Sequence, residues 1–263
     1  MYSRTELALK YLKYYWCASN GRGHGIHSPF VYEFVTEVLN DKRPFYPYAA
    51  IEKIRIGMLR DQRRIGFEDY GKATRVKGEV KISDIAHRSL SGRKFGQLLF
   101  RMVNHYQPKH LIELGTSLGI SGAYLAAADP ATLLTTVEGS DSIARIAAEN
   151  FSELRLQNIR QVTGDFEETL PPIIESSAPF DMVFIDGNHR KDPVLNYFHQ
   201  FLNKRPPDAI FILHDIHWSR EMEKAWQIIR DHPDVMLSVD IFAAGIIFFR
   251  DTFRVRQHFN IRF

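Results

Sequence analysis

Glu113-Leu114-Gly115-Thr116-Ser117-Leu118-Gly119-Ile120-Ser121 is the stretch that decides how this chain of 263 residues folds. The apolar run HLIEL at 110–114 leads through a glycine turn into the start of a helix, the junction of a strand–turn–helix unit. Gly115 lets a ligand approach the backbone with no Cβ in the way. Glu113 stands two residues before that glycine. A carboxylate there gives nothing to a pyrophosphate and suits a cationic ligand.

Downstream of this junction, short apolar runs alternate with amphipathic helical stretches. The runs are LLTTVE (133–138), IRQVTG (159–164), DMVFID (181–186) and AIFILHD (209–215). This is the pattern of a parallel sheet wrapped by crossover helices, whose ligands sit beyond the carboxyl ends of the strands. The rhythm then breaks. VMLSVDIF (235–242) and GIIFFR (245–250) are separated by a turn too short for a crossover helix, so these last strands are antiparallel neighbours. The expected fold is α/β: a Rossmann-like, mostly parallel sheet with an antiparallel last strand, helices on both faces, and an N-terminal helical extension.

Acids recur at the strand ends. Glu138, followed by Gly139, closes the second run at a distance that suits a carboxylate accepting hydrogen bonds from ribose hydroxyls. Asp165 closes the third, where it accepts from an adenine amino group, caps the next helix, or does both. Phe166 beside it is available to pack on the base.

The ordered series ELGTSLGIS, TVEGSD, TGDF, FIDGNH and the closing hairpin resembles a class I S-adenosylmethionine-dependent methyltransferase over residues 95–250. FIDGNH and HDIHWS are most similar to the small-molecule O-methyltransferase-like branch. The resemblance implies that Glu113, Gly115, Thr116, Ser117 and Gly119 hold the methionine portion of the cofactor. By the same resemblance Glu138 and Gly139 hold the ribose, Asp165 and Phe166 the adenine, and Asp186 also touches the cofactor. It implies methyl transfer to a small molecule, at a hydroxyl oxygen.

Methyl transfer from a sulfonium is an in-line displacement, so the protein must align the acceptor and help remove its proton. Beyond the fourth and fifth strands the chain offers Asp186, His189, His214, Asp215 and His217. Two routes stay open. In one, Asp186 and Asp215 hold a divalent metal that acidifies the acceptor, although His214 adjoins Asp215 where a hard oxygen ligand is wanted. In the other, His189 is a general base whose ordinary pKa lies near neutrality. His217, beside Trp218, is read as packing on the domain surface.

The first 94 residues lie outside the resemblance. Ser3 with Glu6 forms a capping box ahead of LALKYLKYYW, and Ser28-Pro29 starts a second helix at FVYEFVTEVL. The loop GRGHGIHSP joins them, with His24 and His27 in it. A third helix is expected over residues 49–64, and EDYGKATRVKGEVKISD (68–84), with little periodicity, reads as a mobile lid. The aromatic residues of the early helices (Tyr11, Tyr14, Tyr15, Trp16, Phe30, Tyr32, Phe34) exceed what two solvent-facing helices need. They point to a cover for the acceptor pocket, to a homodimer face, or to packing on the flank of the sheet domain itself. The organisation expected is thus 1–94 extension, 95–250 catalytic domain and 251–263 tail.

Composition narrows the partners. A net charge of +3 is small for this length, and the basic stretch Lys72, Arg75, Lys77, Lys81, Arg88, Arg93, Lys94 is interleaved with Glu68, Asp69, Glu79 and Asp84, which blunts it as a nucleic-acid footprint. The single cysteine, Cys17, builds neither a disulfide framework nor a cysteine zinc site, which suits a reducing, cytoplasmic setting. No stretch has the apolar length of a membrane span. An RNA or protein methyltransferase and a non-catalytic cofactor-binding module remain as alternatives, with an NAD-dependent oxidoreductase behind them. Glu113, the third acid and the antiparallel closing strand argue against the last.

Overall fold

A computed structural model describes residues 1–69 and 76–263. In chain order the elements are α1 (Arg4–Cys17), α2 (Pro29–Glu33) running into a π-helical stretch (Phe34–Leu39), α3 (Pro47–Met58), β1 (Arg64–Asp69), β2 (Val76–Lys81), α4 (Ile82–Ser89) and α5 (Arg93–Tyr106). Next come β3 (His110–Leu114), α6 (Ile120–Ala128), β4 (Leu133–Glu138), α7 (Asp141–Glu153), β5 (Ile159–Thr163) and α8 (Phe166–Ser176). The chain closes with β6 (Met182–Ile185), α9 (Lys191–Leu202), β7 (Ile210–His214), α10 (Arg220–Arg230), β8 (Leu237–Asp240), β9 (Ala244–Phe248) and β10 (Gln257–Asn260). These elements form two compact units, Lys42–Ala178 and the pair Met1–Asp41 with Pro179–Phe263.

Within Lys42–Ala178, β3, β4 and β5 pair in parallel, with Leu111 beside Leu134 and Val137 beside Val162. Their crossovers are α6 and α7. One apolar cluster joins Tyr48, Ile51 and Ile54 of α3 to Phe100, Tyr124 and Phe151. A second joins Ile82, Ile85 and Ala86 of α4 to Leu118, Ile143 and Ile146. Each such side chain removed from water contributes about 1.5–3 kcal/mol, against the entropy of ordering it.

In the other unit β6 and β7 are parallel, and β9 runs antiparallel to both β7 and β8. The expected closing hairpin is therefore present. β6 is buried throughout, and β7 is buried up to its last residue, His214, as continuous apolar strands covered on both faces should be. α10 begins at Ser219, whose side chain accepts from the Met222 N–H, and buries Met222, Ala225, Trp226 and Ile229 at helical spacing.

The early helices start where the sequence places them. Ser3 and Glu6 close a full capping box, and the Ser28 side chain accepts from the Val31 N–H with Pro29 at the first position. The third helix ends sooner than expected, at Met58 rather than at residue 64. Asp61 Oδ1 accepts from the Arg63 N–H at 2.8 Å, an Asx turn that competes with further helix. The chain then enters β1, which pairs antiparallel with β2 and sets Ile65 and Val80 against the α4 cluster. The stretch read as an aperiodic lid thus contributes to both strands of a hairpin and to the start of α4. Residues 70–75, with Lys72 and Arg75, lie outside the described residues. Part of the 251–263 tail also has a place in the sheet: β10 pairs in parallel with β8, and Ile261 bridges Ser19.

Candidate active site

The turn after β3 is built on unusual backbone. Gly115 has φ +102°, Ser117 +47° and Gly119 +83°. At Gly119 a Cβ would also meet the Phe151 ring at 2.8 Å, so both conformation and space exclude a side chain there. Left-handed non-glycine residues recur at other strand ends. Asn188 (φ +51°) follows β6, and Asp215 (φ +56°) follows β7. Such conformations cost about 1–3 kcal/mol each and gather at functional sites.

In the unit Lys42–Ala178, Glu113 lies fully buried under α6. Its Oε2 accepts from the Thr136 hydroxyl at 2.6 Å, and Thr136 in turn accepts from Thr116 at 2.6 Å. A Cβ on Gly122 would fall 2.8 Å from that same carboxylate oxygen, so glycine at this position in α6 makes room for the acid. Glu138 turns its carboxylate back on the glycine turn: Oε2 accepts from Ser117 N–H at 2.8 Å and Oε1 from Ser140 N–H at 3.0 Å. Burial pushes its carboxyl above the ordinary range, against the pull of the Ser140, Ser117 and Gly139 amides. Gly139 itself is partly exposed. Asp165 caps α8, its Oδ1 accepting from Glu167 N–H at 2.8 Å, and Phe166 follows partly exposed as the first helical residue. The capping reading of Asp165 is realised, and it leaves Oδ2 for another donor.

In the unit formed by Met1–Asp41 and Pro179–Phe263, the β6–β7 pairing places Ile185 beside Leu213, and so brings Asp186 next to His214. Asp186 Oδ1 lies 2.8 Å from His214 Nδ1, with Asp215 Oδ1 at 3.8 Å from the same nitrogen. Burial works against a charge on His214. Asp186 and Asp215 outweigh it and push the imidazole up to about 9. Asp215 is raised by burial, with His214 and His189 pulling it back down. The loop carrying His189 is braced by Asn188, whose Nδ2 donates to Tyr197 Oη at 3.0 Å and whose Oδ1 accepts from Arg190 Nε at 2.8 Å.

Asp186, His189 and Asp215 converge. Each offers one ligand-capable atom, and these atoms lie within 4.8 Å of one another. One imidazole and two carboxylates at these separations fit a divalent ion of the zinc or manganese type better than magnesium, which favours oxygen. His217 is more than a surface packing residue. It lies between Asp240 (Nε2 to Oδ2, 2.8 Å) and Glu223 (Nδ1 to Oε1, 3.3 Å), and its ring stacks on Phe242. Tyr2 and Lys10 of the N-terminal segment bind the same Glu223 at 2.6 and 2.8 Å.

The sequence singled out Asp186, His189 and Asp215, and the structure brings them together. In the sequence His214 stands among the ligand-type residues and as the neighbour of Asp215 that disfavours magnesium, with no role of its own. The hydrogen bond to Asp186 had no sequence signal, because the two residues stand 28 positions apart. The bracing by Asn188 and Tyr197 was also missed, although Asn188 sits inside the FIDGNH run.

Residues 112–216 match the family model of a methyltransferase domain. A catechol O-methyltransferase from Niastella koreensis is 32% identical over 157 residues, covering 58% of this chain and 68% of that protein. The chain belongs to the class I S-adenosylmethionine-dependent O-methyltransferase family. It is an enzyme that moves a methyl group from S-adenosylmethionine to a small-molecule acceptor. The fold agrees. An O-methyltransferase from Bacillus cereus in complex with SAH superposes with TM-score 0.56 at 19% identity, over 84% of this chain and 97% of that one. The O-methyltransferase TomG from Streptomyces achromogenes, in complex with SAM, gives 0.53 at 23%, over 62% and 82%. Among the described residues no helix is long and apolar enough to cross a membrane.

Proposed function

We propose that the acceptor is a phenolic hydroxyl of the catechol type, and that His189 takes its proton as the methyl group is transferred. The observation that carries this is the convergence of His189 with Asp186 and Asp215 at the carboxyl ends of β6 and β7. A phenol ordinarily ionises near pH 10, well above neutrality, so a base held within reach lowers the cost of forming the nucleophile. Asp186 and Asp215 each bring a carboxylate oxygen within 4.8 Å of a His189 ring nitrogen, which sets two acids beside the base. His214, bound to Asp186, offsets part of the negative charge that two adjacent carboxylates would otherwise concentrate there. The name of the Niastella koreensis relative supports the catechol assignment.

In the other unit, the turn Gly115-Thr116-Ser117-Gly119 and the buried Glu113 are assigned to the methionine portion of the cofactor. Glu138 and Gly139 are assigned to the ribose, and Asp165 and Phe166 to the adenine. Asp186 is assigned a cofactor contact as well as its part in proton transfer. The left-handed backbone at Ser117 and the amide-facing carboxylate of Glu138 support a polar ligand held by this turn.

One observation favours a second reading of the catalytic residues. The spacing of Asp186, His189 and Asp215 also suits a divalent cation, and His189 would then be a ligand instead of the base. When bound, such an ion supplies Lewis acidity that lowers the acceptor's pKa. Activity of chelator-treated, metal-depleted enzyme separates the two: full turnover supports the base, and turnover restored only by added divalent ions supports the metal.

The setting in this reading is cytoplasmic, supported by the one free and exposed cysteine, Cys17. The working unit is a homodimer acting on a small molecule, without a nucleic-acid or membrane partner. The exposed aromatic and aliphatic side chains of α1 support the homodimer.

A further inference from the structure

α1 is fixed by one side only. Leu7, Lys10 and Tyr14 are its partly buried residues: Lys10 binds Glu223, and Tyr14 donates to the Asp240 and Ile261 carbonyls. At 100° per residue the opposite side is Thr5, Leu9, Leu12 and Trp16. Leu9 is 67% exposed, Leu12 53% and Trp16 81%. A fourteen-residue helix that turns two leucines and a tryptophan to solvent, opposite the side that holds it to its own fold, has a face made for something else.

The pattern on that face says what. Leu9 and Trp16 are a heptad apart, as are Thr5 and Leu12, with a three–four alternation between them, so they fall at the a and d positions of a coiled-coil seam. Glu6 and Lys13 then share the e positions on one flank. Two such helices in antiparallel array set a against d: Leu9 meets the partner's Leu12, and Trp16, the largest side chain of the seam, meets the partner's Thr5, the smallest. The same arrangement sets e against e, so that Glu6 faces the partner's Lys13 and Lys13 faces the partner's Glu6. Apolar match, size match and charge match hold together in this one orientation. In a parallel array Trp16 would have to meet Trp16, and Thr5 would meet Thr5. A lipid surface fits less well. It calls for an apolar face bordered by basic residues, whereas this face has an acid, Glu6, on its flank.

We propose that α1 is the self-association helix of this protein, pairing antiparallel with α1 of a second copy through Leu9, Leu12 and Trp16 and fixed in register by Glu6 and Lys13. The inference deepens the homodimer reading and does not depend on how the methyl acceptor is activated. Because Glu6 Oε2 already closes the capping box with Ser3, the pairing draws on Oε1.

The test is sedimentation equilibrium of the full chain over a wide concentration range, for the wild type, Leu12→Glu and Lys13→Glu. Each sample is also titrated with S-adenosylmethionine to show that it is folded. The expected result is a reversible wild-type dimer whose dissociation constant rises at least about 100-fold in Leu12→Glu and about tenfold in Lys13→Glu, with cofactor binding unchanged in both. An equal mixture of Leu9→Cys and Leu12→Cys, each in a Cys17→Ser background, should oxidise chiefly to the mixed dimer. A wild type that is monomeric throughout would overturn the proposal, as would a dimer indifferent to Leu12→Glu. So would homodimeric cross-links in place of mixed ones. Wild-type monomer that binds vesicles of anionic lipid, and loses that binding in Leu12→Glu, would overturn it in favour of a lipid surface.

Discussion

His214 Nδ1 lies 2.8 Å from Asp186 Oδ1, and the two residues terminate neighbouring parallel strands. This pair places a bound proton beside the carboxylates that surround His189. His214 has its pKa pushed up to about 9 from an ordinary 6.5, so it holds its proton more tightly folded than unfolded. The stabilisation is fully present below about pH 6.5 and is lost as the pH rises through 9. Its size is on the order of 3 kcal/mol at most. Urea denaturation of wild type and His214→Gln at pH 6.5 and pH 9.5 should show the stability gap between them closing as the pH rises. A gap independent of pH would mean that His214 is neutral in the folded protein.

His189→Gln should lower kcat by about 10²–10⁴-fold if the imidazole is the base. The affinity for S-adenosylmethionine, read by titration calorimetry, should be unchanged. The pH–rate profile of the variant should lose its acidic limb, which in the wild type reports deprotonation of the base. A loss of cofactor affinity together with kcat would instead make His189 a structural residue.

Glu138→Ala should weaken S-adenosylmethionine binding by about 10–100-fold, the range expected when a charged hydrogen-bond acceptor worth 1.5–3 kcal/mol is removed. Asp165→Ala should also weaken it, and should in addition cost about 0.5–2 kcal/mol of stability through loss of the α8 cap. NAD should not bind to the wild type. Calorimetric titrations with both ligands check all three outcomes.

Gly122→Ala places a methyl group 2.8 Å from the Glu113 carboxylate oxygen. The acid is fully buried and bound to Thr136, so it has little room to move, and the variant should lose about 1–3 kcal/mol of stability. If the residues do not interact, the double variant Gly122→Ala with Glu113→Ala should lose as much stability as the two single variants together. If they clash, the coupling measured by denaturation should be clearly favourable.

Treatment with a strong divalent chelator should leave turnover intact under the general-base reading. The Asp215→Asn variant should then retain measurable activity. Loss of activity on chelation, restored in order of metal affinity for a mixed nitrogen and oxygen site, would transfer the role of His189 from base to ligand.

Much of this protein was legible in its sequence, because the signals are local. Ser3 with Glu6 and Ser28 with Pro29 announce helix starts through hydrogen bonds that close within three residues. The strand–turn–helix at Glu113–Ser121 is fixed by glycine conformation. The antiparallel closing strands follow from a connection too short to cross the sheet. The acids at 113, 138, 165, 186 and 215 are legible as strand-end residues from the sequence, since they punctuate apolar runs. Other features were not legible. The end of α3, the β1–β2 hairpin and the place of β10 depend on partners distant in the chain, which propensity over a short window does not register. The bond between His214 and Asp186, the clustering of His189 with Asp186 and Asp215, and the solvent-facing seam of α1 belong to the tertiary structure alone. A side chain's neighbours across a sheet are set by strand register, and the free face of a helix is known only once its other face has been buried.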